Sequence, residues 1–486
     1  MAEKVEYIEP IDKLNTGRNK INEFAIKPAL NAEKNSNDAK NIATESNQIS
    51  SEAKDIAANT DGRLDNIVAG EMDDAEVIDA RGSYPVLSKR LDDMPKKSDI
   101  QLPEYSSSEP LGGLRDVFKP KLQQTLTEID DSKFNYASMF DLHYDRGAFI
   151  GGDILRYSLT HIFNVCSLSS KLDAIIFGGD NSDLNSIKDA KRYLYNQQEQ
   201  VVTTALSLSE CPVWFLKGNH DDGSIQARLR YDRKMETNIR NKWLTPDFVL
   251  TDEDFAKLYQ QTISLYGENR NNTSNYFYKD FDDKKVRLIG LDSADLPETL
   301  ESDGTLKYPR QYYTCFSSSQ IDWLANQALI MPEAYTAIVV LHHPIHGTLA
   351  TYKSSDNPYD TTLPCINHDV VKTLFEQYQA KGRGLVSQSA DDNRVPVSVN
   401  YDFSSQTGAI ALVHCGHIHV DTDLNQNSVL YVSTCCSMGM STEYNRGQDT
   451  FDTLDEECFD VVSVDTNAKT INLKRVGAGN DREFDY

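Results

Sequence analysis

Four apolar runs in this chain each end within four positions of a side chain that can hold a cation, and that repetition limits the fold more than any other feature. The run 173–177 leads to Asp180, 212–216 to Asn219, 337–341 to His342, and 409–413 to His417. Short runs without polar alternation read as strands buried on both faces, which belong to α/β sheets. In such sheets sites lie beyond the carboxyl ends of the strands. A fifth segment, Asp141-Leu142-His143, closes a shorter, more polar run from Phe134.

In chain order the segments read D-x-H, G-D-x-x, G-N-H-D, a histidine before proline, and G-H-x-H. That ordered set resembles the calcineurin-like metallophosphoesterase superfamily over roughly residues 134 to 475. The resemblance implies a four-layer α/β/β/α sandwich carrying two divalent ions that clamp a phosphoester and activate water against it. Carried over residue by residue, it implies that Asp141, His143, Asp180 and His419 hold one ion. Asp180, Asn219, His342 and His417 hold the other, with Asp180 as the bridge. His220 is then the general acid, oriented by Asp221 through its second ring nitrogen.

Of the adjacent pair, the pattern favours His342, directly after its strand, over His343; a one-residue slip would exchange them. Purple acid phosphatases carry a tyrosine three residues after the bridging aspartate, and this chain has Asp183 there, so no phenolate ligand is expected. Mixed nitrogen and oxygen donors suit Mn, Fe, Zn or Co alike. Among the other histidines, His161 and His368 read as surface or partly packed residues, His414 as a satisfied core imidazole, and His346 as a residue near the phosphate.

At 486 residues the chain exceeds one ordinary domain. Its formal net charge of −25, with no Lys/Arg-rich stripe, disfavours nucleic acid as a partner. Eight cysteines without a C-x-x-C pair read as reduced, buried thiols of a protein made in a bacterial cytoplasm. No apolar signal region opens the sequence and no run has the length of a membrane span, so membrane insertion is not expected.

The amino-terminal third reads differently. Ala39, Ile42, Ser46, Ile49, Ala53, Ile56, Thr60, Arg63 and Ile67 form a 3-4 spaced, heptad-like seam, coiled-coil-like but with small or polar a positions. Residues 79–92, from Asp79-Ala80-Arg81-Gly82 to Arg90-Leu91-Asp92, resemble a segment near the amino end of tail-fibre and baseplate proteins of phages of Gram-positive bacteria. That resemblance implies a docking module, phage tail or baseplate proteins as partners, a homo-oligomer with a trimer favoured, and release in a virion tail or prophage particle. The expected organisation is a helical segment at 1–94, a linker at 95–130 and the phosphoesterase domain at 131–486.

Three functions follow as expectations. The first is a phosphodiesterase acting on a cell-surface polymer such as teichoic acid. The second is a general phosphomonoesterase or nucleotide phosphodiesterase, and the third a receptor-binding tail protein with a structural metal site. An intact Asp180, Asn219 and His220 argue against the third. Substrate contacts are expected from the insertions 222–285 and 347–405, with Arg228, Arg230 and Lys353 as phosphate contacts.

Overall fold

The computed structural model describes Leu102, Ser441 and residues 113–145, 157–183, 191–224, 244–349, 365–388, 394–439 and 443–486, all within one unit, Ile100–Tyr486. The heptad seam, the 79–92 segment, Arg228, Arg230 and Lys353 lie outside the described residues.

The described chain is a mixed α/β sandwich built on two large sheets. The first has six strands, with Phe134–Met139, Ala174–Phe177 and Val213–Phe215 parallel and in that order. On the far side of Phe134–Met139 the antiparallel strands Cys458–Asp465, Thr470–Gly477 and Arg482–Asp485 complete it. The second has seven strands, and at its centre Val286–Gly290, Thr336–Val340, Ala409–Cys415 and Val429–Ser433 run parallel.

The apolar runs are unbroken because each strand is covered twice. Side chains alternate across a strand, so Ile175 and Phe177 face one core while Ala174 and Ile176 face another. The inner core lies between the sheets, where Ile176 and Trp214 of the first share a cluster with Leu288, Ile338 and Val340 of the second. Each outer face is closed by helices. Lys191–Leu208 buries Leu194, Val201, Val202 and Ala205 on the first sheet, and His368–Gln379 buries Val371, Leu374, Phe375 and Tyr378 on the second. Both sets recur at the helical spacing of three and four.

Within the stretch read as a linker, Lys119–Glu128 is a helix, with Pro120 in its first turn where a missing N–H costs nothing. Its Leu122 and Leu126, four apart, join Phe118 in the first core, so packing extends upstream of residue 131. Cys458–Asp465 pairs on both sides and is buried almost throughout, whereas Thr470–Gly477 alternates. Among the described residues no helix is long and apolar enough to cross a membrane.

His161 is fully buried, against the reading of a surface residue, because Glu456 Oε1 lies 2.8 Å from its Nε2. Its neighbour Glu457 is equally buried and accepts from Asn164 Nδ2 at 2.6 Å. Burial, opposed by His161 and aided by Glu456, pushes the Glu457 carboxyl up to about 7. The unfolded chain ionises such a group near ~4.3. Between those values folding must take up a proton, so stability is full below the lower one and falls as pH rises through the upper one. Glu457→Gln keeps the Asn164 contact without titrating. Its melting temperature should therefore gain on the wild type between about pH 4 and about pH 8, and a constant difference in thermal melts would refute this.

Candidate metal centre

The loops that follow the parallel strands of both sheets meet at one end of the sandwich. Asp141 follows Phe134–Met139, Asp180 follows Ala174–Phe177 and Asn219 follows Val213–Phe215; His342 and His417 follow Thr336–Val340 and Ala409–Cys415 of the other sheet. Backbone hydrogen bonds tie these loops together: Asp141 N–H donates to Gly179 O at 3.0 Å, His143 N–H to Asp180 O at 2.8 Å, and His417 N–H to Asp141 Oδ2 at 2.8 Å.

Asp141 Oδ1 is the focus of one group. It lies 3.2 Å from His419 Nε2, 3.8 Å from His143 Nε2 and 3.9 Å from His342 Nε2, yet accepts no hydrogen bond. Asp180 Oδ2 sits 3.3 Å from His342 Nε2 and 3.7 Å from His143 Nε2. Asn219 Oδ1 is 3.3 Å from His342 Nε2. His342 Nδ1 meets the Gly178 carbonyl at 3.0 Å, which fixes the tautomer and leaves Nε2 as a free donor to a cation.

The donor chemistry fits a divalent ion. Asp141, His143 and His419 bring donor atoms within 4.8 Å of one another, and so do Asp141, Asp180 and His342. A buried carboxylate oxygen without a proton donor, facing three imidazole nitrogens, is costly unless a cation occupies the space. Burial pushes the Asp141 carboxyl up, but His419, His143 and His342 hold it well below the usual carboxylate range. His342, lowered by burial, is raised to about 8 by Asp180 and Asp141.

The motif glycines have a steric reason. A Cβ on Gly218 would run into Asp180 Oδ1 and its backbone nitrogen, and one on Gly416 would approach Asp141 Oδ2 to 2.5 Å. The candidate ligands Asp180 and Asp141 themselves take the space that a side chain would fill. The donors themselves lie on tight loops: Asp141, His143, Asp180, His417 and His419 all have φ between 49° and 69°. Left-handed backbone is uncommon outside glycine and gathers at functional sites.

Asp221 does not orient His220. Its carboxylate turns inward and accepts from Gly218 N–H at 2.8 Å, Ser182 N–H at 3.0 Å and Gln198 Nε2 at 2.8 Å, which makes it a brace between two motif loops. Burial and Asp180 raise it to about 6. The partner of His220 is Asp183, whose Oδ1 is 2.6 Å from His220 Nδ1 and 3.3 Å from His143 Nδ1. Despite burial, His143 and His220 hold Asp183 well below the usual carboxylate range. One carboxylate thus fixes two imidazoles. The only signal in the sequence was its place three residues after Asp180.

His343 stays close. Its Nδ1 meets Ser293 Oγ at 2.8 Å, its ring centre is 4.4 Å from that of His417, and it forms a further donor group with His342 and His417. His414 is a core imidazole bonded to Tyr136 and Thr434. His368, read as a surface residue, is buried with Nε2 2.8 Å from Thr314 Oγ1. His346 is exposed.

The Calcineurin-like phosphoesterase family model matches residues 141–421, and no curated protein matches. Similar solved structures include a conserved uncharacterized protein, a predicted phosphoesterase, from Streptococcus pneumoniae TIGR4, 10% identical over 73% of this chain and 98% of that one, with a TM-score of 0.25. Phosphopantetheinyl hydrolase from Mycobacterium tuberculosis is 11% identical over 63% and 91%, with a TM-score of 0.29. GAP50, the anchor in the inner membrane complex of Plasmodium, is 15% identical over 71% and 84%, with a TM-score of 0.33. The family model spans more than half of the chain and begins and ends around the donor cluster, so this chain belongs to the calcineurin-like phosphoesterase family.

Proposed function

We propose that the chain is a metal-dependent phosphodiesterase with two divalent ions, and that it cleaves a phosphodiester-linked polymer of the bacterial cell surface such as teichoic acid. The observation that carries the hydrolytic reading is the convergence of Asp141, His143, Asp180, Asn219, His342, His417 and His419 at one end of the sandwich. Bound ions supply Lewis acidity to the phosphoryl group and an activated water. The chain supplies position and a proton. Asp183 takes the Nδ1–H of His220, so Nε2 is left to carry the proton given to the leaving oxygen. The His220 side chain is 21% exposed, as a group that must reach substrate has to be.

The polymer and the particle rest only on the pairing of the tail-fibre-like segment at 79–92 with the hydrolytic domain, and a net charge of −25 gives no long-range pull on DNA. The test is incubation of the full chain with Mn²⁺ and, separately, bis-p-nitrophenyl phosphate, p-nitrophenyl phosphate, nucleotides and teichoic acids. Release from the diester and from teichoic acid is expected; turnover of the monoester alone would overturn the diesterase reading.

Assembly is testable in the same preparation. The full chain should be a trimer by light scattering, and a chain beginning at Ile100 a monomer that still cleaves small diesters. The cut lies upstream of Leu114 and Arg115 because Arg115 Nη1 holds Glu456 at 2.8 Å and Leu114 packs on the core. Loss of the segment should reduce retention on insoluble cell wall, where linked sites raise effective concentration. A monomer in both cases would remove the oligomerising role.

A further inference from the structure

Beside the metal centre lies a cavity of about 360 Å³. At ~30 Å³ per water that is room for roughly a dozen waters, within the range of small-ligand sites. Its wall includes Lys217, two positions before Asn219, so the cavity and the donor cluster share one loop no more than ~7 Å long. Asp292, from the loop after Val286–Gly290, forms another part of the wall, and the next residue is the Ser293 that holds His343. The rest includes Asp252, Asp295, Gln261 and Tyr276.

The chemistry of these groups narrows the ligand. Lys217 is buried, with its ammonium 2.7 Å from Asp292 and 2.5 Å from Asp252, so its charge is already matched. Arg310 shares Asp252 at 2.6 Å and Asp295 accepts from Ser317 and Gln320, so the wall calls for no further charge and suits a neutral ligand. Gln261 is 2% exposed, lines the cavity, and its Nε2 has no hydrogen-bond partner. That donor requires an acceptor, which an ammonium group does not offer. A purely apolar ligand would leave the Gln261 amide dry and unpaired. A hydroxyl oxygen answers this demand by accepting from the amide, while the Tyr276 ring can cover a C–H face.

We propose that this cavity is a polyol or sugar subsite that holds the hydroxylated alcohol portion of the phosphoester whose phosphoryl group meets the metal centre. The proposal rests on the hydrolytic reading above, and binding can be measured without turnover. The full chain is titrated with glycerol, xylitol and glucose, and with tetramethylammonium and propanol as ligands of the wrong chemistry, by saturation-transfer NMR and calorimetry. A polyol should saturate with a Kd on the order of 1–10 mM, as the per-atom ceiling for small ligands allows, and the two controls should not.

Gln261→Leu removes the unpaired donor and should weaken polyol binding roughly tenfold, the size of a hydrogen bond to a buried group. Ser319 is exposed and lines the cavity, so Ser319→Trp fills it from the rim without disturbing the core and should abolish saturation. No saturable polyol binding to the wild-type chain, or wild-type affinity in both variants, overturns the subsite. Turnover of bis-p-nitrophenyl phosphate without polyol binding overturns it too, and leaves hydrolysis standing. Polyol binding in a chain that cleaves no phosphoester overturns the hydrolytic reading, and with it the role of the polyol as leaving alcohol.

Discussion

Asp180→Ala should reduce diester hydrolysis to background and lower the metal content from two ions per chain to at most one. Asp180 is the carboxylate placed between both donor groups, facing His143 on one side and His342 on the other at 3.7 and 3.3 Å. Lewis-acid stabilisation is worth several kcal/mol, and each 1.36 kcal/mol is tenfold in rate, so a loss of at least ~10³ is expected. Asp180 Oδ1 also accepts the His220 N–H at 2.8 Å, so alanine frees the loop that carries the proton donor. Asp180→Asn retains an oxygen for that bond and separates the two causes. Elemental analysis and bis-p-nitrophenyl phosphate turnover measure the outcome; full activity with two ions in Asp180→Ala would remove the bridging assignment.

His220→Ala should behave in the opposite way with respect to metal. His220 lies outside the Asp141 and Asp180 groups, so metal content should persist while turnover falls by roughly 10² to 10⁴. The loss should be smaller for a nitrophenolate leaving group than for an alkoxide, because a good leaving group needs little protonation. Asp183→Asn should combine two effects. It unfastens His220, giving the same leaving-group dependence in milder form, and it also unfastens His143, lowering metal affinity by about 10- to 100-fold as loss of a carboxylate behind a ligand imidazole does. An equal loss for both leaving groups in His220→Ala would assign His220 to packing or ligation instead.

The proximity of the candidate donors could be read from the sequence because parallel strands deliver their carboxyl ends to one place, and buried strands betray themselves as unbroken apolar runs. Sequence order along 141, 180, 219, 342 and 417 therefore translated into spatial neighbourhood. The orientation of His220 did not follow. Asp221 is its covalent neighbour, but adjacent side chains diverge, and the carboxylate that reaches His220 comes from another loop. A parallel bridge between Tyr144 and Ser182 sets that loop beside the first motif, and no local pattern announces it. His161 and His368 are buried for a related cause: their partners Glu456 and Thr314 lie hundreds and tens of residues away, so no local pattern announces the burial. The helix at Lys119–Glu128 was hidden by its composition, since its few apolar residues sit on one side of a polar sequence.

The left-handed backbone at Asp141, His143, Asp180, His417 and His419 has a thermodynamic consequence for the whole chain. Each such residue costs on the order of 1 kcal/mol or more relative to relaxed backbone, and all five lie on loops whose side chains converge. Without a cation the fold bears this load together with the mutual crowding of its imidazoles. An ion that binds only the folded chain offsets it by mass action. Metal supply therefore acts as a ligand of folding itself: the melting temperature should climb with ion concentration well beyond the first equivalent, and a chelator should shorten the lifetime of the folded protein as well as silence it.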